Sequence, residues 1–210
     1  MVDQMHSEVT GWILAGGEGR RMGGLDKGLQ PYQGQLLVQW VLDSLRGQLK
    51  VVHINANRHP DQYRSLLDQT QGPHGDGQVW PDDTDLRGAL GPLAGLLTGL
   101  RHCDTPWLLS ASCDSPHLSP QLVERLVQAA TDQKAEVAVP TTVDPDGTVR
   151  HHWVCALIHQ HCRASLESAI QQGERRVGQW IKSCRWISVS FGDPAAFMNI
   201  NTLETLHGQA

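Results

Sequence analysis

The sequence predicts an α/β fold, a Rossmann-like open and mostly parallel β-sheet with helices on both faces. Two observations predict it: short apolar runs alternate with amphipathic segments, and a glycine-rich loop follows the first apolar run. The chain has 210 residues, which suits one large domain or two small ones. Because no repeat, low-complexity tract or linker interrupts the pattern, we expect a single domain over residues 1–210.

The predicted strands are short apolar runs that stop at glycine or polar residues. Parallel strands covered by helices on both faces are typically continuous apolar runs of this kind. The last two predicted strands are less regular than the others. The predicted strands are 9–15, 51–55, 79–80, 105–112, 136–140, 152–158 and 186–191.

The predicted helices lie between these strands, at 35–49, 60–69, 91–100, 119–130 and 161–171. The first carries a helical apolar stripe that includes Leu37, Val41 and Leu45. The fourth has start signals, with Ser119 as the expected N-cap and Pro120 at the first helical position.

Charge and length exclude several classes of partner. The net charge of −5 disfavours a general binder of nucleic acid or anionic membranes. Apolar runs of a few residues are too short to span a membrane. The first basic residue is Arg20, so the start lacks the positive segment of a signal peptide. We therefore expect a cytoplasmic protein with no membrane or nucleic-acid partner.

Cysteine usage agrees with that expectation, because an odd count without a CxxC pair is typical of reduced thiols. The histidines are numerous but lack the paired spacing of a structural zinc site, so we predict none. The five cysteines are Cys103, Cys113, Cys155, Cys162 and Cys184.

The most informative segment is residues 14–28, LAGGEGRRMGGLDKG, which follows the first strand. In open α/β sheets, ligands bind beyond the carboxyl ends of the strands. Glycine lets backbone N–H groups approach a phosphate, and Arg or Lys neutralises its charge. The segment is neither a Walker A loop nor a GxGxxG fingerprint. We interpret it as a phosphate-binding loop; the alternative is a flexible turn whose cations are solvated. Its glycines and cations are Gly16, Gly17, Gly19, Gly23, Gly24, Arg20, Arg21 and Lys27.

A carboxylate follows the strand at 105–112. Asp114 should lie in the same crevice as the glycine loop, because both come at the carboxyl ends of strands. One such carboxylate, together with substrate phosphates, suffices for Mg²⁺. The alternative is an N-cap for the following helix. The neighbouring Cys113 is interpreted as a packed thiol, because thiolate is a poor ligand for Mg²⁺ and no cysteine–histidine constellation is visible.

The glycine loop resembles the signature loop of the molybdenum cofactor guanylyltransferases, the MobA family, within the nucleotidyltransferases that share the nucleotide-diphospho-sugar transferase type of fold. Further segments that resemble family motifs occur in family order, and together they cover about residues 9–206. Ser115 stands where the family often has Thr, and the loop at 71–77 is unfamiliar. The other matching segments are NANRH at 55–59, GPLAG at 91–95, CDSP at 113–116, GERRV at 173–177 and NINT at 199–202.

The resemblance implies an activity, which is transfer of GMP from GTP to molybdenum-bound molybdopterin with release of pyrophosphate and a requirement for Mg²⁺. It implies that the N-terminal half binds GTP and the C-terminal half binds molybdopterin. We further expect a monomer, with a molybdenum-insertion protein and molybdoenzyme chaperones as protein partners. No general base is needed, because a terminal phosphate is largely ionised at pH 7.

The resemblance also implies roles for individual residues. For Asn55 the alternative is a turn residue, and the guanine-side carboxylate is Asp82 or Asp83, with Asp82 preferred. The molybdopterin-side arginines could equally be solvated, and the asparagines could equally be turn residues. The implied catalytic residues are Arg21, Lys27 and Asp114, with Asp114 as the metal ligand. The implied GTP contacts are Leu14, Ala15, Gly16, Gly17, Lys27, Asn55, Asp82 and Asp114, and the implied molybdopterin contacts are Arg175, Arg176, Asn199 and Asn201.

Three other functions are compatible with the sequence. The first is a cytidylyltransferase for the same cofactor; members that use CTP tend to carry Ala where Gly16 stands, so Gly16-Gly17 favours a purine. The second is a sugar-phosphate nucleotidyltransferase. The third, from another class, is a nucleotide-binding regulatory or chaperone module without catalysis. Lys27 and Asp114 argue against that module, because binding alone does not require a metal carboxylate.

Overall fold

The computed structural model describes residues 7–15, 25–69, 77–86 and 90–200. In chain order the strands are β1 (Val9–Leu14), β2 (Pro31–Tyr32), β3 (Gln35–Leu36), β4 (Val51–Asn55), β5 (Val79–Trp80), β6 (Trp107–Ser112), β7 (Val137–Val143), β8 (Val149–His151), β9 (Leu157–His159) and β10 (Trp186–Ser190). The helices are α1 (Leu37–Arg46), α2 (Pro60–Gln69), α3 (Pro92–His102), α4 (Leu122–Gln133), α5 (Arg163–Gln171) and α6 (Val177–Ile181).

The main sheet has the strand order β5-β4-β1-β6-β9-β7-β10, and β8 pairs with β7 outside this path. Strand β1 lies between β4 and β6 and is parallel to both. Strands β5 and β10 are also parallel to their neighbours, whereas β9 is antiparallel to both β6 and β7. The sheet is therefore open and mostly parallel, as the sequence predicts.

Helices cover both faces of the sheet. Successive strand residues point to opposite faces, so neighbouring residues of one strand pack against different helices. Ile13 and Leu109 join a core with residues from α1, α2 and α4. Trp12 and Leu108 join the opposite core with residues from α3, α5 and α6. The two-sided coverage predicted from the alternating pattern is confirmed.

The strand predicted at 152–158 is wrong in position. Residues 149–151 instead form β8, and β9 begins only at Leu157. A turn closed by the bond from Gly147 N to Asp144 O (2.8 Å) folds β8 back onto β7. His152 then continues the pairing by donating its amide to Pro140 O (3.0 Å), and the chain turns before it enters the sheet.

Three helix starts also differ from the prediction. The first helix begins at Leu37, because residues 35–36 pair with residues 31–32 as a short hairpin. The fourth begins at Leu122 with Gln121 at the N-cap, so Ser119 is not its cap. Gln48 makes the Ser119 cap unnecessary, since its Oε1 accepts the amide of Val123 at 3.0 Å. The fifth helix begins at Arg163, because residues 160–162 form a 3₁₀ turn.

Within the described ranges, no helix is long and apolar enough to cross a membrane.

Candidate functional site

Three strand ends define the candidate site. In the sheet register Leu14 lies beside Asn55 of β4 and beside Ser112 of β6. The edge is closed by backbone hydrogen bonds, from Ala15 N to Asn55 O (2.8 Å) and from Cys113 N to Leu14 O (3.1 Å). The chain thus places Leu14, Ala15 and Asn55 together at the carboxyl edge where ligands of such sheets bind.

Asp114 forms the acidic centre of this edge. It is buried, and its Oδ2 accepts a hydrogen bond from Lys27 Nζ at 3.0 Å. Its Oδ1 accepts a bond from the hydroxyl of Ser112 at 2.5 Å. The structure therefore brings together two predicted site residues that are far apart in sequence, and it adds Ser112, which the sequence analysis missed.

A buried hydrogen-bonded pair that includes the neighbouring residue Asp26 fixes the backbone beside Lys27. Tyr63 of α2 donates its hydroxyl to Oδ1 of the buried Asp26 at 2.6 Å. Burial raises the pKa of Tyr63, so the hydroxyl keeps the proton that it donates. A Cβ on Gly28 would lie 2.6 Å from the Tyr63 hydroxyl oxygen, so only glycine lets the chain pass here. This pair fixes the backbone on both sides of Lys27.

A polar network extends from the end of β4 to the segment after β5. Asn55, only 2% exposed, donates from Nδ2 to Trp80 O (3.2 Å) and to Asp82 Oδ1 (3.0 Å). Asn57 donates from Nδ2 to Asp82 Oδ2 (2.8 Å) and accepts the Asp82 amide on its Oδ1 (2.8 Å). The sequence analysis missed Asn57, although its place two residues after Asn55 was a usable signal.

Asp83 points away from this network. Its Oδ2 accepts from Arg101 (3.0 Å), its Oδ1 lies 3.0 Å from His102 Nε2, and its amide donates to the hydroxyl of Thr98 (3.0 Å). All three partners belong to α3. Of the two acidic candidates, Asp82 is therefore the one joined to Asn55 at the strand edge.

The donors around Asp114 fit a magnesium ion. Carboxylate and hydroxyl oxygens are hard ligands, and Mg²⁺ needs only one or two carboxylates when substrate phosphates complete its shell. Cys113 does not compete, because burial raises the pKa of its thiol and a soft sulfur suits Mg²⁺ poorly. In the part of the chain that the structure describes, no cluster of three or more histidine, cysteine or acidic side chains could hold a metal by itself.

A cavity of about 750 Å³ adjoins the acidic centre on the side of β7 and β8. Ser112, Ser115 and Asn199 line it near Asp114, and the hydroxyl of Ser115 donates to Asn199 Oδ1 at 2.6 Å. The amide of Ile200 donates to Asp114 O at 2.9 Å, which holds this segment against the acidic centre. The predicted residue Asn199 therefore lies in this cavity, close to the acidic centre.

His152 and Phe197 form an aromatic wall of the cavity. Their ring centroids lie 4.7 Å apart with an interplanar angle of 29°. His152 Nε2 lies 2.9 Å from the hydroxyl of Thr142. Burial, aided by the positive charge of Arg150, lowers the pKa of His152 to about 4, so the ring is neutral near pH 7. The sequence analysis missed this wall, because a histidine and a phenylalanine that are far apart in the sequence carry no spacing signal.

Arg175 and Arg176 lie between α5 and α6. Arg175 donates from Nη1 to the carbonyl oxygens of Ile170 (3.2 Å) and Glu174 (2.7 Å), and both arginine amides donate to Glu174 Oε1. Among the residues that the structure describes, neither arginine lines the cavity. Their role stays a prediction. The predicted residues that lie outside the described ranges are Gly16, Gly17, Gly19, Arg20, Arg21, Gly23, Gly24 and Asn201.

An open, mostly parallel sheet with a lysine–aspartate pair at its carboxyl edge suits a nucleotidyltransferase, because the lysine can bind phosphate and the carboxylate can bind a metal ion. The chain belongs to the MobA-like NTP transferase domain family, whose model matches residues 11–185. It is 43% identical over 200 residues to the molybdenum cofactor guanylyltransferase of Cupriavidus metallidurans, covering 95% of this chain and 93% of that one. It is also 43% identical over 209 residues to the protein of the same name from Acidovorax ebreus, covering 95% and 94%.

Two solved structures support the fold. Molybdopterin-guanine dinucleotide biosynthesis protein A from Archaeoglobus fulgidus is similar with a TM-score of 0.72 and 21% identity, covering 95% of each chain. The 4-diphosphocytidyl-2C-methyl-D-erythritol synthase of Anaerococcus prevotii is similar with a TM-score of 0.74 and 14% identity, covering 98% of this chain and 96% of that one. At these identities the likeness concerns the fold alone.

Proposed function

We propose that this enzyme transfers GMP from GTP to the terminal phosphate of molybdenum-bound molybdopterin, forming the guanine dinucleotide cofactor and pyrophosphate. The observation that carries the proposal is the Lys27–Asp114 pair, which lies between the Asn55–Asp82 network and a separate cavity. Two substrates can therefore meet at one acidic centre. The names of the relatives that are 43% identical point to the same reaction.

Asp82 is the proposed reader of guanine. Each of its oxygens accepts one amide N–H from an asparagine, and a carboxylate oxygen has room for a second donor. Guanine presents two donors side by side, N1–H and the 2-amino group. The role of Asn55 is narrower than the sequence suggests, because its amide group already donates to Trp80 O and Asp82. Asn55 thus positions Asp82, while its own carbonyl oxygen faces Gly95 of α3.

Phosphate binding is assigned to Lys27 and the glycine loop, including Gly16, Gly17 and Arg21, next to the backbone of Leu14 and Ala15. Lysine is a compact cation that suits phosphate, and loop amides add oriented dipoles for developing charge. We propose Asp114 as the magnesium ligand. When bound, the ion supplies positive charge that reduces the repulsion between two anionic substrates. The chain's own task is to hold those anions in line.

The cavity beside Asp114 is the proposed site for the molybdopterin. Asn199 and Ser115 place polar groups at its inner end, and the His152–Phe197 wall offers a flat surface to a heterocycle. Arg175, Arg176 and Asn201 stay proposed contacts for the charged parts of this ligand. The attacking phosphate is ionised at neutral pH, so no residue is assigned as a general base.

The remaining proposals concern organisation. We propose a single catalytic domain that is monomeric and cytoplasmic, whose N-terminal half binds GTP and whose C-terminal half binds molybdopterin. The five free cysteines suit a reducing compartment. A molybdenum-insertion protein and molybdoenzyme chaperones are the proposed protein partners.

The reaction is tested by incubating the enzyme with α-phosphate-labelled GTP, CTP or ATP, Mg²⁺ and molybdenum-bound molybdopterin. Label is expected in a dinucleotide product from GTP, with ATP well below GTP and CTP poor. A preference for CTP would indicate the cytidylyltransferase instead. Transfer to a hexose 1-phosphate offered in place of molybdopterin would indicate the sugar-phosphate enzyme, and nucleotide binding without any transfer would indicate the non-catalytic module.

A further inference from the structure

Asp82 and Asp83 are adjacent carboxylates that face different partners, and Asp83 is tied to the last turn of α3. We propose that Arg101 is a positioning residue for guanine recognition, acting through Asp83 on Asp82. The inference rests on the proposed function, in which Asp82 reads the base. It assigns a selectivity role to a side chain that touches neither substrate.

The guanidinium group of Arg101 donates hydrogen bonds to three carboxylates. Nη1 donates to Asp83 (3.0 Å) and to Asp85 (3.0 Å), and Nη2 donates to Glu167 of α5. The side chains of Arg101 and Asp83 are only 22% and 23% exposed, so water screens this pair less than a surface ion pair. The charge of Arg101 offsets the mutual repulsion of acidic residues that are crowded into a short segment.

Both the carboxylate and the backbone amide of Asp83 are bonded to side chains of α3. Besides Arg101, its carboxylate meets His102, and its amide is bonded to Thr98. The ring of His102 also stacks on Trp80 with centroids 4.1 Å apart. The segment that carries Asp82 is therefore bonded to α3 on one side and to Asn55 and Asn57 on the other.

This segment needs such support because β5 is only two residues long. Its ladder with β4 ends at Trp80, so strand pairing does not hold Asp82. Consecutive Cα atoms are only about 3.8 Å apart, so a backbone shift of Asp83 away from α3 would also change the position of Asp82. Hydrogen bonds weaken steeply with angle and distance, and the bond to the 2-amino group would be lost with such a shift.

The test compares kcat/KM for GTP and ITP, which lacks the 2-amino group. The natural enzyme should prefer GTP, and Arg101→Gln should lower the GTP/ITP ratio by roughly tenfold, the loss of one buried hydrogen bond. The change should appear mainly in KM for GTP, with kcat largely kept. A ratio that is unchanged in Arg101→Gln would overturn the inference, even if the variant melts at a lower temperature. If Arg101→Gln does not fold, Asp83→Asn carries the same expectation.

Two further variants separate the possible failures. Glu167→Gln removes the negative charge that faces Arg101 from α5 but leaves the contact with Asp83, so the GTP/ITP ratio should stay unchanged. A fall in that ratio equal to the fall in Arg101→Gln would show a general loss of stability and overturn the inference. Asp82→Asn should abolish the discrimination. If it does not, or if the natural enzyme uses ITP as well as GTP, the proposed base reading fails; if only Arg101→Gln fails, the proposed function stands without this inference.

Discussion

Lys27 and Asp114 form an ion pair of 3.0 Å at the carboxyl edge of the central strands. The lysine follows the glycine loop, and the aspartate follows β6, so the pair joins the two segments that sequence reasoning singled out. Both carboxylate oxygens are engaged, since Ser112 donates to the other one. A cation that binds Asp114 must therefore accommodate the ammonium group beside it.

Removing that ammonium group should strengthen metal binding to the free enzyme. Two like charges a few Å apart repel each other, so Lys27→Met should raise the affinity for Mn²⁺ without nucleotide by roughly tenfold or more. The same variant should lower GMP transfer, because phosphate loses its cation. Electron paramagnetic resonance titration of Mn²⁺ measures the affinity. The matched control is Lys50→Met, an exposed lysine at the amino end of β4. Unchanged or weaker Mn²⁺ binding in Lys27→Met would show that the Lys27 ammonium group does not oppose metal binding at Asp114.

Alanine substitutions at two glycines of α3 should affect different properties, one the KM for GTP and the other the stability of the fold. A Cβ at Gly95 would lie 2.3 Å from Asn55 Oδ1, so Gly95→Ala should displace Asn55 and raise KM for GTP. A Cβ at Gly99 would lie 2.8 Å from the ring of Trp12, in the core. Gly99→Ala should therefore lower stability by about 1–3 kcal/mol with little change in KM. Steady-state kinetics and thermal melting of both variants check this. Equal KM values for the two variants would contradict the assignment of Asn55 to the site.

His152 should make the fold sensitive to acid. Its pKa in the folded protein is about 4, below the ordinary value of 6.5, mainly because it is buried. As pH falls, the unfolded chain therefore takes up the proton first, and the contribution of neutral His152 is lost between pH 6.5 and 4. His152→Gln should flatten the fall of Tm over this window. The exposed His161→Gln serves as the control, and a slope in His152→Gln identical to that of the natural protein would show that another group is responsible.

The sequence predicted the central sheet well, because buried parallel strands are continuous apolar runs with little ambiguity. Strands β1, β4 and β6 lie at or within the predicted ranges, and their polar ends mark the site. Strand β9 was misplaced because three residues carry no recognisable period, and its antiparallel entry depends on the hairpin that precedes it.

The arrangement of the candidate site could be predicted in part. Lys27 and Asp114 stood out because a cation and a carboxylate each followed a strand or a glycine loop. The sequence could not decide firmly between Asp82 and Asp83, since adjacent acids look alike until one is seen to pair with Arg101. The wall formed by His152 and Phe197 depends on two distant segments that meet only in the fold.

The most direct test of the whole account is the turnover of Asp114→Ala. Asp114 is the proposed magnesium ligand and the partner of Lys27, so its loss should lower kcat for GMP transfer by at least ~10²–10³-fold, comparable to losing a key electrostatic group in other active sites. The circular dichroism spectrum should stay that of the natural protein. Asp132→Asn, an exposed carboxylate of α4, should leave turnover unchanged. Near-normal turnover of Asp114→Ala at saturating Mg²⁺ and GTP would contradict the account.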